Sequence, residues 1–410
     1  MKKTMFIALS LLSSVAMAET KFNFSGDAYV RFYNINAHNV GTSSTQAFSQ
    51  FFRLNVDAKP DEHLTIKTGL VLSGDNWNGD SSKPVSLSGS SIGGSSIGGT
   101  NDNGSGNSSI SHLDHAQIDY SNDGWITSAG RIAVSSPGNF LTSDDRRDRI
   151  QVLKIFPSYD VLAFVYDKRA TGSITDKKDD LDMYSVNYYG SWNQFKYAFQ
   201  TGYWRTKKFN SLGTNLYNGV VNLDNIKQIT PQLSTTLLGV NADLYYTILW
   251  GGTAYYKDDH HSMALKLSKD LEVLNVEYET IVTRDGGLIA GGFDTLSSII
   301  NNSMDHNVSQ TNIRNIGFGL GNKNADEYVS MLKFSKKFNN DLTVSLGGGY
   351  AKLYVWSLTN AFTARTEKNT VLDATAKYDF SKSLALNAKY GKFFGDNKDH
   401  AGSLSLNANF

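Results

Sequence analysis

The chain has 410 residues, with 39 Lys plus Arg against 39 Asp plus Glu, no cysteine, 12% aromatic residues and a mean hydropathy of −0.33. Balanced charge argues against an electrostatic nucleic-acid surface, and the missing cysteines exclude disulfides and the lipid-bearing cysteine of a lipoprotein. Beyond the first residues, no stretch reaches the roughly 18 consecutive apolar residues that a membrane-spanning helix needs.

Met1-Lys2-Lys3 is basic, Met5 to Leu12 is a short apolar run, and Ala16-Met17-Ala18 has the small-x-small pattern of a cleavage site. This reads as a secretory signal peptide over residues 1–18, exported through the Sec pathway. Its loss removes two lysines and leaves the remainder slightly acidic. Length alone suggests two or three domains. However, residues 19–410 show no Pro-rich linker, charge block or composition break, so a single domain is expected.

Strand signals then recur along the chain. Phe22, Phe24, Gly26, Ala28, Val30 and Phe32 alternate with Asn23, Ser25, Asp27, Tyr29, Arg31 and Tyr33. Period two gives a strand one apolar and one polar face. Phe52, Leu54, Val56 and Ala58 repeat the pattern against Phe51, Arg53, Asn55 and Asp57. Pro60 to His63 reads as a tight turn, and Leu64, Ile66, Thr68, Leu70 and Leu72 resume the apolar face. Further tight turns are expected at Ser121–Gly124, Pro157–Asp160, Gly190–Asn193, near Pro231-Gln232, at Lys269-Asp270, at Asn339–Asp341 and at Ser381–Ser383. Eight turns make sixteen strands, and the two terminal strands make eighteen. The pair 217–230 with 234–249 is the weakest, because its first member alternates poorly; if it is loop the count falls to sixteen. Long connections are expected near 74–112, 206–217, 250–261 and 285–327, the first carrying S-S-I-G-G in tandem. In the last ten residues Leu404, Leu406, Ala408 and Phe410 alternate with Ser403, Ser405, Asn407 and Asn409.

A soluble sandwich would bury one face of each strand and would rarely place so many aromatics at strand ends. A closed transmembrane antiparallel β-barrel explains the pattern better: aromatic girdles flank an apolar outer band, the inner face is polar, and closure satisfies every backbone amide. A charge on the lipid face costs about 2–4 kcal/mol at mid-membrane. Charges within strands are therefore expected to point inward: Arg31, Arg53, Lys67, Arg131, Lys196, Asp57, Asp119, Glu277 and Glu279. Asp27, Asp373, Lys377, Lys389, Tyr29, Gln117 and Asn387 join them by parity. Such a wall suits a water-filled pore, or a set of mutually neutralised pairs that hold the barrel's shape.

Signals for chemistry are weak. Asp258 to His261 places four potential ligands side by side on a loop, which is poor metal geometry without distant partners. Asn101 to Gly104 offers oxygens for calcium but lacks the spacing of a calcium loop. No G-x-S-x-G context or phosphate-binding glycine loop occurs. Neither a cofactor nor enzymatic activity is expected.

The leader, the alternating strands, the contrast between short turns and long loops, and the final Phe410 together resemble Gram-negative outer-membrane porins. The size and the Ser/Asn-rich style resemble the major outer membrane porins of the Campylobacter group. The resemblance implies passive diffusion of small hydrophilic solutes and a homotrimer. It also implies contact with outer-membrane lipid and lipopolysaccharide, and a terminal Phe410 read by the barrel assembly machinery. In general porins the third long loop narrows the lumen, with acids facing basic wall residues. By that likeness Asp144, Asp145 and Asp148, in the run with Arg146, Arg147 and Arg149, form the constriction's acidic side, and Arg31, Arg53 and Arg131 its basic side. Two alternatives stay open: a substrate-specific channel for sugars or carboxylates, and an adhesin or structural barrel with a plugged lumen.

Overall fold

The computed structural model describes residues 20–36, 45–76, 112–170, 181–206, 225–251, 259–285, 289, 293–300, 325–339, 341–355 and 365–410. The expected leader and the Ser/Gly-rich repeat at 90–99 lie outside them, as does Asn101–Gly104. Within the described residues the strands are β1 (Lys21–Asn36), β2 (Thr45–Lys59), β3 (Leu64–Asn76), β4 (His112–Asn122), β5 (Trp125–Val134), β6 (Asp145–Ile155), β7 (Val161–Ala170), β8 (Leu181–Trp192) and β9 (Phe195–Thr206). They continue as β10 (Ile226–Leu237), β11 (Val240–Trp250), β12 (His260–Asp270), β13 (Asn275–Arg284), β14 (Ala325–Phe338), β15 (Leu342–Val355), β16 (Arg365–Ser381), β17 (Leu384–Gly395) and β18 (His400–Asn409).

Each strand pairs antiparallel with its chain neighbours, and β1 also pairs with β18 from Asp27↔Asn409 to Asn36↔His400. The eighteen strands therefore close into a barrel with no free edge. Beyond the last ladder pair, the Gly26 amide donates to the Phe410 carbonyl (2.8 Å) and the Phe410 amide to the Gly26 carbonyl (3.0 Å). The chain end thus meets β1 at Gly26. β1 projects past β18 at this rim, so Lys21 to Ser25 extend beyond the chain end.

The distribution of side chains is inverted relative to a water-soluble protein. Leu346, Ile150 and Leu372 are 62%, 53% and 52% exposed on the outer wall, whereas Asp167 and Glu279 are completely buried inside. An outer surface that is apolar all round requires an apolar surrounding. Leu404, Leu406 and Phe410 belong to it, while Ser405 is buried inside. Aromatics gather at both ends of the wall. Tyr120, Trp125, Trp192, Phe334 and Phe380 are exposed toward the short-turn end, and Tyr184, Tyr328, Tyr350 and Tyr354 toward the long-loop end.

The register corrects two expectations. Pro231 lies inside β10, opposite Phe199 of β9, and the turn falls at Leu238-Gly239 instead. Proline lacks a donor, and the ladder to β11 skips from Ile229↔Ile248 to Gln232↔Tyr245, so the strand tolerates it where no bond is made. Both residues of the true turn have positive φ (53° and 73°), as a two-residue hairpin requires. The weak pair is thereby a genuine pair, 226–237 with 240–250, and the count stays at eighteen.

Arg131 is the second correction. It sits opposite Asp148 and Ala116, on the face shared with the exposed Ile118 and Ile150, so its backbone position is outward. Being near the loop end of β5 and beside Asp148 relaxes the cost that drives charges inward at mid-membrane.

Candidate functional site

Among the described residues, two connections narrow the lumen. The larger contribution among the described residues comes from 293–300, in the connection between β13 and β14. Phe293, Ile299 and Ile300 are completely buried and, with Leu296, pack on inward residues of the wall that include Ile281, Val329, Met331, Val371 and Phe393. Two wall carboxylates anchor the segment's backbone. Glu279 accepts the Leu296 amide (3.0 Å), and Asp373 accepts the Ser298 amide (2.5 Å) and the Ser297 hydroxyl (3.4 Å). Lys266 donates to the Asp294 carbonyl, lies 4.2 Å from the centre of the Phe293 ring, and pairs with Glu279 at 3.4 Å. These carboxylates stop one backbone segment from leaving unpaired amides inside the barrel.

The third connection, 135–144, is short and self-braced. The Ser136 hydroxyl accepts the Leu141 and Thr142 amides (2.9 and 3.1 Å) around a 3-10 turn at Pro137–Asn139. This projects Phe140 onto Tyr245 of β11 (5.3 Å between ring centres) and edge-on to Phe293 (5.1 Å). Gly138, at φ +62°, lies against the Tyr245 ring, where a Cβ would overlap it. The third connection therefore reaches from the β5–β6 wall to β11 and docks on the larger inserted segment. Phe140→Ala should cost about 3–5 kcal/mol at this contact. Limited proteolysis should then cut within 135–144, where the native chain resists.

The charged run reads differently from a loop constriction. Only Asp144 lies in the connection; Asp145, Arg146, Arg147, Asp148 and Arg149 are residues of β6. Asp148 shares the outward face with Ile150, while Arg147 and Arg149 point inward. The reason is pairing: Val134↔Asp145 through Trp125↔Lys154 extends the β5–β6 ladder through the run. The sequence pattern of mixed charges carried no signal of that extension.

What the fold assembles instead is a guanidinium–carboxylate network across β1, β2, β4, β6 and β7. Asp167, completely buried, accepts a bidentate pair from Arg149 (2.6 and 2.9 Å) and a bond from Arg147 (3.1 Å). Asp114, 2% exposed, accepts a bidentate pair from Arg146 (2.8 and 2.6 Å) and a bond from Arg53 (3.0 Å). Arg53 also binds Asp27 (2.7 Å), Arg146 binds Asp144 (2.6 Å) and Arg147 binds Asp145 (2.9 Å). A bulge brings Asp114 into play, because the β3–β4 register passes from Gly69↔His115 to Leu70↔Leu113 and skips it. Paired in this way, each guanidinium is locked in direction. Arg31 stands beside the network, 4.5 Å over the Tyr29 ring, which in turn stacks on Phe51 at 5.5 Å. Asp114 and Asp167 carry no local motif and were not singled out from the sequence.

The other expected wall residues fall in three groups. Lys67 pairs with Asp119 (2.8 Å), Glu277 pairs with Lys333 (3.7 Å), and Asp57 faces Lys67 in register. Lys196 shares the inward parity of Ala198 and Gln200, near the turn end of β9. Glu279, expected to line open water, is sealed beneath the inserted segment. Of the suggested metal cluster, His260 and His261 are successive residues of β12 and face opposite sides: His260 is buried inside, and His261 bonds Tyr246 (2.7 Å). Among the described residues no group of three or more His, Asp or Glu could hold a metal ion.

No family model matches the chain, and no curated protein sequence does. Solved structures do match in fold. The outer membrane protein OpdK of Pseudomonas aeruginosa has 12% identity and a TM-score of 0.58, over 95% of this chain and 98% of that one. OccAB3 of Acinetobacter baumannii has 12% identity and a TM-score of 0.61, over 96% and 100%. OccK2 (OpdF) of P. aeruginosa, solved in complex with glucuronate, has 11% identity and a TM-score of 0.61, over 95% and 98%. The chain, a closed antiparallel barrel of eighteen strands, therefore shares its fold with these structures along nearly its whole length.

Proposed function

We propose that this chain is an outer-membrane channel through which small hydrophilic solutes and ions diffuse. The observation that carries the reading is a closed barrel with an apolar exterior and a polar interior, narrowed by inserted loop segments. Outer-membrane barrels keep short turns in the periplasm and long loops outside. That orientation puts Pro60–His63 and its counterparts inside the envelope, and the Asn76 end of β3 and the His112 end of β4 toward the cell surface. Solutes pass between the guanidinium network on one wall and the 293–300 segment on the other. Sec export, trimer assembly, lipopolysaccharide contact and recognition of Phe410 by the assembly machinery belong to the same reading. Single-channel recording in planar bilayers tests it: stable, ohmic steps in potassium chloride are expected, and a barrel that inserts without conducting would favour a plugged structural role.

A second reading has its own support. Orderly guanidiniums on β2 and β6 suit recognition of a planar carboxylate. Among the structural neighbours, one is solved in complex with glucuronate and another with vanillate. A carboxylate-selective channel would show block of ion current that saturates with one small organic acid. Equal, unsaturated passage of neutral sugars and acids would leave the general channel.

A further inference from the structure

At the loop end of the outer wall several cations face a carboxylate. Lys168 lies 3.4 Å from Asp182, Arg284 lies 3.5 Å from Asp285, and Arg131 stands opposite Asp148. Lys352 and Lys368 break this rule. They are directly opposed across β15 and β16, both exposed on the outer face. Among the described residues neither makes an ion pair. Of the nearby acids, Glu367 is buried inside, Asp396 accepts the backbone amide of Lys368 (2.8 Å), and Asp326, opposite Tyr354 on the outer face, accepts the Asp285 amide (2.7 Å). Residues 353–366 contain no acid at all. Like charges directly opposed on neighbouring strands are destabilising, so an external anion at this place would be stabilising. Tyr328, opposite Lys352, and Tyr350 and Tyr354, two residues to either side of it, are exposed at the same level. Such rings settle at the headgroup layer of a bilayer.

We propose that Lys352 and Lys368 together clamp the phosphate of a phosphorylated glycolipid in the outer leaflet, with the tyrosines against its sugar and upper acyl region. The proposal rests on the reading that the barrel spans an outer membrane. Two ammonium groups separated by one cross-strand spacing can both donate charge-assisted hydrogen bonds to one phosphate group.

The test is native mass spectrometry of the detergent-purified barrel with bis-phosphorylated lipid A, its dephosphorylated form, or inorganic phosphate. One bis-phosphorylated lipid per chain should survive detergent exchange, and K352Q/K368Q should weaken its retention about tenfold. Lys368→Glu should abolish retention while raising thermal stability in lipid-free detergent, two opposite movements that a damaged fold cannot produce. Equal retention by K352Q/K368Q, equal retention of the dephosphorylated lipid, or complete displacement by inorganic phosphate would overturn the proposal. Both side chains point away from the lumen, so single-channel conductance should not change. Loss of the lipid result with conductance intact would sink this proposal alone, whereas loss of conductance in the unaltered protein would sink the channel reading.

Discussion

Replacing residues 293–300 with a Gly/Ser linker of equal length should raise single-channel conductance severalfold. The segment fills lumen that the wall itself leaves open, and its burial comes from packing on Ile281, Val329, Met331, Val371 and Phe393. Removing it hydrates that apolar wall and strips Glu279 and Asp373 of the amides they anchor. Conductance rises because cross-section grows. The barrel itself should persist, since its ladder bonds do not involve the segment. Each buried apolar side chain removed forfeits about 1.5–3 kcal/mol, so the variant should denature at a lower temperature in detergent. Unchanged conductance would mean that solutes do not pass beside this segment, and the assignment of the narrowing would fail.

Asp167→Asn should move the reversal potential in a salt gradient toward anion selectivity. Asp167 is the shared acceptor of Arg147 and Arg149 and is completely buried. Removing one partner of a buried ion pair typically costs about 3–5 kcal/mol, because the remaining charge is left uncompensated. Here two guanidiniums lose their anion, although Arg147 keeps Asp145 (2.9 Å). The relief available is for Arg149 to swing into the lumen and attract mobile anions, which is the expected selectivity change. Restoring neutrality with D167N/R149Q should return the reversal potential most of the way while leaving some destabilisation. A reversal potential that stays put in D167N would show that the network faces protein rather than the ion path. Asp144, 46% exposed at the network's edge, should give a smaller shift on conversion to Asn, since solvent already screens it.

Much of the architecture was legible because a membrane barrel imposes a local rule. Lipid on one side and water on the other force period two on every strand, so Leu404, Leu406 and Phe410 could be assigned outward and Ser405 inward from spacing alone. Turn chemistry located seven of the eight hairpins. The eighth failed at Pro231, where a local turn signal yielded to a pairing pattern that happened to leave its missing donor unused. Arg131 failed for a related reason: inward charge is a rule for mid-membrane, and height in the wall depends on register with Asp148.

The candidate site was legible only in part. Arg53, Lys67, Asp119 and Glu277 could be chosen by parity, but their partners could not. Asp114 turns inward through a bulge that exists only in the pairing of β3 with β4. The run from Asp145 to Arg149 looks like a loop because it is charged, yet its backbone is recruited by β5 and β7. By itself, the sequence determined a closed barrel with an apolar exterior, because alternation is enforced residue by residue by the two solvents, and it left the count at eighteen or sixteen until the β10–β11 pairing decided for eighteen. Only the tertiary structure decided that 293–300 occupies the lumen and that Asp114 and Asp167 organise the arginines. Those contacts join residues far apart in the chain, as with Ser297 and Asp373, 76 positions apart, and no local pattern encodes which distant carboxylate or apolar wall will receive them.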